Sequence, residues 1–470
     1  MYRTWSEEND FALWNSVQQY LEACANPNSN FGVEFFITPN CNQKCEYCYL
    51  VKYGDKLYPA QYRDKDTILK NMDIFIDMLI ENNTIPTEVD VFSGEIWASD
   101  FGMEVLKRIL RLSKASEGRF ETLTIPSNFS FITNEKYRTA IEKFIELFQY
   151  HGTSIIFSCS YDGPIIENQN RPFIDENLNT TQKDSQEYAD FLFEWCRKYN
   201  YGFHPMVNAY SIEQWPEQFK WWVDQTNKYE MNLYAYTMFL EVRNNEWTDD
   251  KIEGYLQFLD TAVDYTFEKV HNSNPTEFIH KVLDYQDKKL PFVESKNYNV
   301  MAFARSCTNN GCSVDRMMCV RLGDLAWVPC HRTSYEKMIY GRFKVENDKI
   351  VGIQALNIPI FVAINSLTYK GHMKCDLCPI APMCIRGCSG AQMEDSKEIF
   401  YPCETVCELF MAKWLFLKEK YASMYFNNPN VEVDMKYQIA YDKLCSIVNN
   451  IPKEKQDKWM PVISTILFKN

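Results

Sequence analysis

The chain has 470 residues, 46% of them hydrophobic and 15% aromatic, which suffices for one large α/β domain with additions or for two or three domains and argues against disorder. Its 49 Lys and Arg against 63 Asp and Glu leave a net charge of −14, which argues against a nucleic acid as the main partner, because phosphate neutralisation takes clustered cations. No run approaches 18 uninterrupted apolar residues, and the charged opening MYRTWSEEND has no apolar signal core, so neither a membrane span nor a secreted disulfide scaffold is expected and the location expected is cytoplasmic.

In chain order, residues 1–30 read as a helix and a polar connector. VEFFI (33–37) reads as a short strand, 68–83 as a helix, EVDVF (88–92) as a strand and 101–115 as a helix. A strand over 122–132, a helix over 134–150, a strand over 153–160 and a helix over 186–199 follow. Residues 203–210 read as a strand, then comes a Trp-rich helix, a sixth strand over 232–242 and a helix over 249–270. Six β/α units in succession predict a parallel sheet covered by helices, a partial (β/α)6 barrel of the TIM type over 33–275, with chemistry in the loops after the strand ends. Residues 276–300 read as a linker, 301–410 as a cysteine-dense domain and 411–470 as a helical extension; residues 1–32 form an N-terminal helical extension.

Seventeen cysteines in a reducing compartment, several at short spacings, read as metal or cluster ligands. Cys41, Cys45 and Cys48 form a C-x3-C-x2-C triplet in TPNCNQKCEYCYL, directly after the first strand. Three thiolates hold a cubane iron–sulfur cluster by three of its four irons and leave the fourth for a non-protein ligand. A zinc knuckle would need a fourth ligand, and no His lies within 20 residues on either side. The spacing, with Tyr47 before the last cysteine, resembles the signature of the radical S-adenosylmethionine (SAM) enzymes. Further loops extend the resemblance. Ser93-Gly94-Glu95-Ile96 stands where that family has Gly-Gly-Glu-Pro, keeping the glycine and carboxylate that receive the SAM amino group. Ser127-Asn128-Phe129 resembles a Thr-Asn-Gly element near the SAM, where Asn128 is either a ligand or a turn residue. Ser160-Tyr161-Asp162-Gly163-Pro164 resembles Ser-Leu-Asp-Gly-Pro, with Ser160 toward the ribose or carboxylate and Arg171 toward the methionine carboxylate. The resemblance implies an enzyme that reductively cleaves SAM to a 5′-deoxyadenosyl radical and abstracts a substrate hydrogen.

A second cysteine field lies downstream. Cys375, Cys378, Cys384 and Cys388 are spaced C-x2-C-x5-C-x3-C, preceded by Cys307, Cys312 and Cys330 and followed by Cys403 and Cys407. This resembles the SPASM domain of peptide-modifying radical SAM enzymes, except that Leu325 stands where glycine is usual. The resemblance implies two auxiliary [4Fe–4S] clusters, hence three in all. One takes Cys307, Cys312, Cys330 and Cys388; the other takes Cys375, Cys378, Cys384 and either Cys403 or Cys407, with Cys407 preferred. Cys319 is an alternative to Cys307. Interleaved zinc sites in a non-catalytic interaction protein are the competing reading. Cys24, Cys159, Cys196 and Cys445 read as small core residues.

The implied substrate is a peptide or protein, and the implied product a modification such as a thioether or C–C crosslink. Sulfatase maturases, which oxidise Cys or Ser, carry Asp after the cysteine equivalent to Cys330; here His331 follows, either as a base or as a donor to a cluster sulfur. The implied partners are an external electron donor, such as flavodoxin or ferredoxin, and a separate leader-binding protein or surface, because only about 32 residues precede the first strand.

Overall fold

Alternation within a few short apolar runs sets the centre of the fold. The computed structural model describes residues 5–29, 31–175, 177, 180–181, 186–231, 246–270, 316–366, 373–381, 388–427, 429 and 435–468. The chain divides into two compact units, Met1–Pro205 with Ser313–Ser366 and Met206–Cys312 with Leu367–Asn470.

In the first unit, helix α1 (Trp5–Cys24) precedes strand β1 (Gly32–Phe36). Then follow α2 (Tyr49–Leu57), α3 (Lys65–Glu81), β2 (Glu88–Phe92), α4 (Phe101–Ala115), β3 (Thr122–Ser127), α5 (Glu135–Tyr150), β4 (Ser154–Cys159), α6 (Gln186–Tyr199) and β5 (Gly202–Phe203). Four more strands come from the later segment: β6 (Met317–Arg321), β7 (Ala326–Val328), β8 (Gly341–Glu346) and β9 (Lys349–Ala355). All nine form one sheet in the order β9-β8-β7-β6-β1-β2-β3-β4-β5. From β6 through β5 every neighbour is parallel. Strands β6 to β9 form an antiparallel meander.

The parallel part is the expected α/β architecture of β-strands with connecting helices. Val33, Phe35, Val89, Val91, Leu123, Ile125, Ile155 and Phe157 make one buried face. Helix α3 buries Ile68, Met72, Phe75 and Leu79, the spacing of one helical face, and is opened by Asp64, whose carboxylate accepts from Thr67 N at 2.8 Å. The opposite face of the sheet carries a polar row: by register, Cys319, Glu34, Asp90 and Thr124 lie side by side across β6, β1, β2 and β3.

The structure corrects several expectations. The strand over 203–210 shrinks to Gly202–Phe203, because Pro205 has no N–H to give and Asn208 Oδ1 accepts from Tyr210 N and Ser211 N to make a turn. Strand β3 stops at Ser127, not 132, where Phe129 turns left-handed (φ 56°) into a short 3-10 turn. Within the cysteine-dense segment, the run MMCVR becomes β6 and pairs with β1, so β1 is central and not terminal. The expected strand over 232–242 lies outside the described residues, as do Cys307, Cys312 and Cys384.

The described part of the second unit is helical: α7 (Trp215–Lys228), α8 (Asp249–Val270), α9 (Ser389–Asp395), α10 (Glu404–Tyr421), α11 (Met435–Val448) and α12 (Lys453–Leu467). Helix α10 is fixed by Lys420, buried between Asp260 and Asp264 of α8, and by Glu408, which accepts from Trp459 Nε1 of α12 at 2.6 Å.

Asp90 gives the first unit a pH dependence. Burial, then the neighbouring Glu88 and Glu34, push its carboxyl up to about 8 against the opposing effects of Thr124 and Arg316. Its Oδ1 is shielded from water with no hydrogen-bond partner, although the residue as a whole is half-buried. The native state therefore keeps this proton between about pH 4 and 8 where the unfolded chain loses it, so stability falls as pH rises through that window. Asp90→Asn is expected to match the wild type near pH 4.5 and to exceed its apparent Tm by ~2 °C or more at pH 8, measured by thermal scans across pH.

Candidate functional site

The strand ends β1 to β4 converge on the Cys41–Cys48 loop. Thr38 to Cys48 connect β1 to α2, and Cys48 is the N-cap of α2, its carbonyl accepting from Val51 N at 3.1 Å. The loop is held by backbone first. Gly94 N donates to Thr38 O at 2.7 Å and Glu95 N donates to Asn40 O at 2.8 Å. The approach is so close that a Cβ on Gly94 would sit 2.2 Å from Asn40 O and 2.6 Å from Pro39 O. The glycine of the sequence motif is thus a steric requirement of the loop itself.

Glu95 ties β2 to β3. Its Oε1 accepts from Trp97 N (3.1 Å), while Oε2 accepts from Ser127 Oγ (3.0 Å) and Asn128 N (2.6 Å). Burial pushes this carboxyl up to about 7 despite those donors. These contacts make the side chain a strut between the ends of β2 and β3. Asn128 reaches the loop: Nδ2 donates to Asn42 Oδ1 at 2.8 Å and lies 3.9 Å from Cys41 Sγ. Phe129 takes the left-handed conformation (φ 56°), and its ring packs against Phe131 and Phe157. Leu325, also in a glycine position, likewise has positive φ (47°).

Arg171 is the buried cation of the site. Its NH1 donates to Tyr47 Oη (2.9 Å), NH2 to Gln43 Oε1 (3.3 Å), and Nε pairs with Glu167 Oε1 (3.4 Å). Tyr47 in turn donates to Asp162 Oδ2 (2.8 Å), which also accepts from Asn170 Nδ2 (3.1 Å). Burial alone would lower the Arg171 pKa, but Tyr47, Cys45, Glu167 and Asp162 together raise it. Glu167 is pushed up to about 8 by burial, with Arg171 opposing. Gln43, Glu167 and Asn170 were not singled out in the sequence, and their contacts span up to 128 residues, so no local pattern announces them. Ser93 and Ser160 stand half-buried beyond the ends of β2 and β4; Ser160 N donates to Ser127 O at 2.8 Å.

Cys45 is buried, and Cys41 and Cys48 are half-buried. Burial, then Glu95, pushes Cys41 up to about 12, and burial raises Cys45 against the pull of Arg171. Gln43 N donates to Cys41 Sγ at 3.3 Å. Without metal Cys41 and Cys45 keep their protons, and ligation replaces the proton with a metal ion. Among the described residues no three His, Cys, Asp or Glu side chains close on one point as a single tetrahedral ion needs. A cubane makes no such demand, because it spreads three thiolates over three irons. The loop's three thiols, the N–H donor on Cys41 and the neighbouring guanidinium fit that donor chemistry.

Beside this loop, Cys330 follows β7 and hydrogen-bonds Thr333 (Sγ to Oγ1, 3.2 Å). The next residue, His331, is fixed by Glu34, which accepts from its backbone N (3.1 Å) and contacts Nδ1 (3.0 Å). Its ring stacks on Phe92 at 3.9 Å and 10°. Burial works to raise Glu34, yet His331 and hydrogen bonds from His331 and Cys319 hold it below the ordinary carboxylate range. Cys319 is therefore a buried neighbour of Glu34 on the inner row.

In the second unit, Cys375, Cys378, Cys388, Cys403 and Cys407 line one largely apolar cavity of about 250 Å³. The sequence reading assigns Cys388 to one cluster and Cys375, Cys378 and either Cys403 or Cys407 to the other, and all five line this one cavity.

Gly94→Ala should force the Pro39–Asn40 backbone away. An opening made ~1.4 kcal/mol easier labels buried thiols ~tenfold faster. Thiol-labelling rates of Cys41 and Cys45 in the metal-free chain should rise by at least that factor.

No protein-family model and no curated protein matches the chain. Among solved structures it is similar to one described as "Native anSMEcpe with bound AdoMet", at 16% identity over 89% of this chain and 100% of that one, TM-score 0.46. It is also similar to "Native anSMEcpe with bound AdoMet and Cp18Cys peptide", at 15% identity over 89% and 99%, TM-score 0.45. A third is Streptococcus suis SuiB bound to precursor peptide SuiA, at 13% identity over 84% and 78%, TM-score 0.42. Likeness at this level identifies no reaction.

Proposed function

We propose that the chain is a radical SAM enzyme that modifies a peptide or protein. The observation that carries this reading is the Cys41–Cys45–Cys48 loop, clamped by Gly94, Glu95, Asn128 and Arg171 at the C-terminal ends of parallel strands, where α/β sheets carry their chemistry. In this reading the three cysteines hold a cubane with one open iron. When bound, such a cluster would supply the electron for reductive cleavage of SAM with loss of methionine, the chemistry that opens hydrogen abstraction from the substrate.

The chain's own residues do the rest. Arg171 offsets the negative charge that three thiolates bring into the loop, and Tyr47 and Gln43 fix its orientation. Gly94, Ser93, Glu95, Asn128 and Ser160 shape the wall on the SAM side. His331, held by Glu34 and Phe92, acts as a base or as a donor toward a cluster sulfur. The second cysteine field holds two closed cubanes that conduct electrons or support the fold. The product is a peptide modification such as a thioether or C–C crosslink, and the electron comes from a flavodoxin- or ferredoxin-type donor. No helix among the described residues is long and apolar enough to cross a membrane.

Two measurements test this. Anaerobically reconstituted chain should bind ~12 irons, three cubanes of four; zinc without iron removes the enzyme reading. Replacing Cys41, Cys45 and Cys48 by Ala should abolish reductive SAM cleavage while ~8 irons remain. Continued 5′-deoxyadenosine formation by that variant would show that the reaction lies elsewhere.

A further inference from the structure

Arg321 closes strand β6, and its side chain has no exposed surface. A guanidinium taken out of water must find partners for all five of its N–H groups inside the protein. Here the count closes. Nε and NH2 each donate to Asp324 at 2.8 Å, and NH2 also donates to Glu336 Oε1 at 2.8 Å. NH1 donates to two backbone carbonyls, Leu57 O at 2.8 Å and Ser334 O at 2.7 Å. Asp324 and Glu336 are held in turn by Arg342 of β8, at 2.8 and 2.7 Å.

The two carbonyls belong to segments that carry candidate site residues. Leu57 is the last residue of α2, where a helix leaves carbonyl oxygens without helical partners. Its oxygen also accepts from Ser334 Oγ at 2.7 Å. The other end of α2 is capped by Cys48, and the ring of the next residue, Tyr49, lies 5.7 Å from that of His331. The turn from Cys330 to Ser334 therefore meets α2 at both ends, His331 at Tyr49 and Ser334 at Leu57. The turn between β6 and β7 is pressed onto the same helix end: Gly323 N donates to Tyr58 Oη at 2.8 Å, and a Cβ on Gly323 would sit 2.0 Å from Tyr62 O. Loss of the guanidinium would take donors from both segments and from two carboxylates at once.

We propose that Arg321 is a positioning residue of the site, which fixes His331 relative to Cys48 by holding the end of α2 and the end of the His331 turn in one guanidinium. The assignment rests on the reading of Cys41–Cys48 and His331 given above and adds the residue that sets their separation. A lysine keeps the charge but replaces the planar fork with a single ammonium, which cannot meet both carbonyls and both carboxylates. In such a variant α2 and the turn lose their common tie and loosen together.

The test is hydrogen exchange of the full-length chain, reconstituted anaerobically with iron and sulfide, together with EPR of the dithionite-reduced chain in the presence of SAM. In Arg321→Lys the amides of 49–57 and of 331–336 should exchange ~tenfold faster or more, by a common factor, while those of α5 keep their wild-type rates. Iron content should match the wild type, and the EPR signal of the cluster on Cys41, Cys45 and Cys48 should shift. The control is Lys420→Met in the second unit, which removes a buried cation from between Asp260 and Asp264; it should lower the Tm and leave that signal unchanged. Faster exchange in only one of the two segments overturns the proposal. So does an unshifted signal in Arg321→Lys, which marks the residue as structural alone, or the same shift in Lys420→Met. If Arg321→Lys does not fold, Ser334→Ala removes one of the two donors on Leu57 O and should quicken the same two segments ~threefold or more. Wild-type rates in either segment of that variant overturn the proposal. A wild-type chain that takes up zinc and no iron overturns the functional reading, and the positioning role with it, whatever the exchange rates.

Discussion

The contact on which the site depends is the one between two stretches of backbone, Thr38–Asn40 and Gly94–Glu95. Two N–H groups donate across it, and no side chain fits between. It sets the path of the chain leaving β1, and so the position of all three cysteines, before any side chain of the loop contributes. Glu95 then carries the same constraint on to β3, and Arg171 carries it to the segment after β4. Each strand end is thereby referred to one loop, which is how a set of short strands can hold a site within the tolerance that chemistry requires.

Charge around that loop is shared in the same way. Glu95, Asp162 and Glu167 are buried within its surroundings, and Arg171 is the cation they share with Tyr47 and Gln43. Buried carboxylates are tolerated when their oxygens are satisfied, and here backbone amides and hydroxyls do most of that. Removal of any one member would leave others unsatisfied, so the network specifies a geometry more than it adds stability. The pair of Glu34 and His331 repeats the arrangement on the neighbouring strands, with Phe92 as a flat support for the imidazole ring.

Much of this was legible in the sequence. Strands β1, β2 and β4 and helices α3, α4 and α5 follow from apolar runs and periodicity, and the cysteine triplet marks its own loop, whereas α2 was not foreseen. Gly94 could be named from its motif, although its physical reason, an approach to Asn40, needed the structure. What stayed hidden depends on distance along the chain. Gln43 meets Arg171 across 128 residues, and β6 joins β1 from nearly 300 residues away. A five-residue run such as MMCVR gives no periodic signal, and its neighbours among the cysteines suggest another kind of domain. Cys403 and Cys407 look equivalent by spacing; in the structure Cys403 caps α10, Cys407 lies in its first turn, and both line one cavity.

Phe129 shows what a bulky side chain in a left-handed turn entails. The backbone keeps the left-handed conformation, but the residue that adopts it is fully buried, its ring set against Phe131 and Phe157, which in turn meet Trp97. A glycine there would let the turn after β3 move by itself. With an aromatic anchor, the turn can open only if the ring leaves the core, so its motion is tied to the slow, cooperative opening of the hydrophobic interior and not to the fast fluctuations of a surface loop. Asn128, one residue earlier, inherits that rigidity where it meets the cysteine loop.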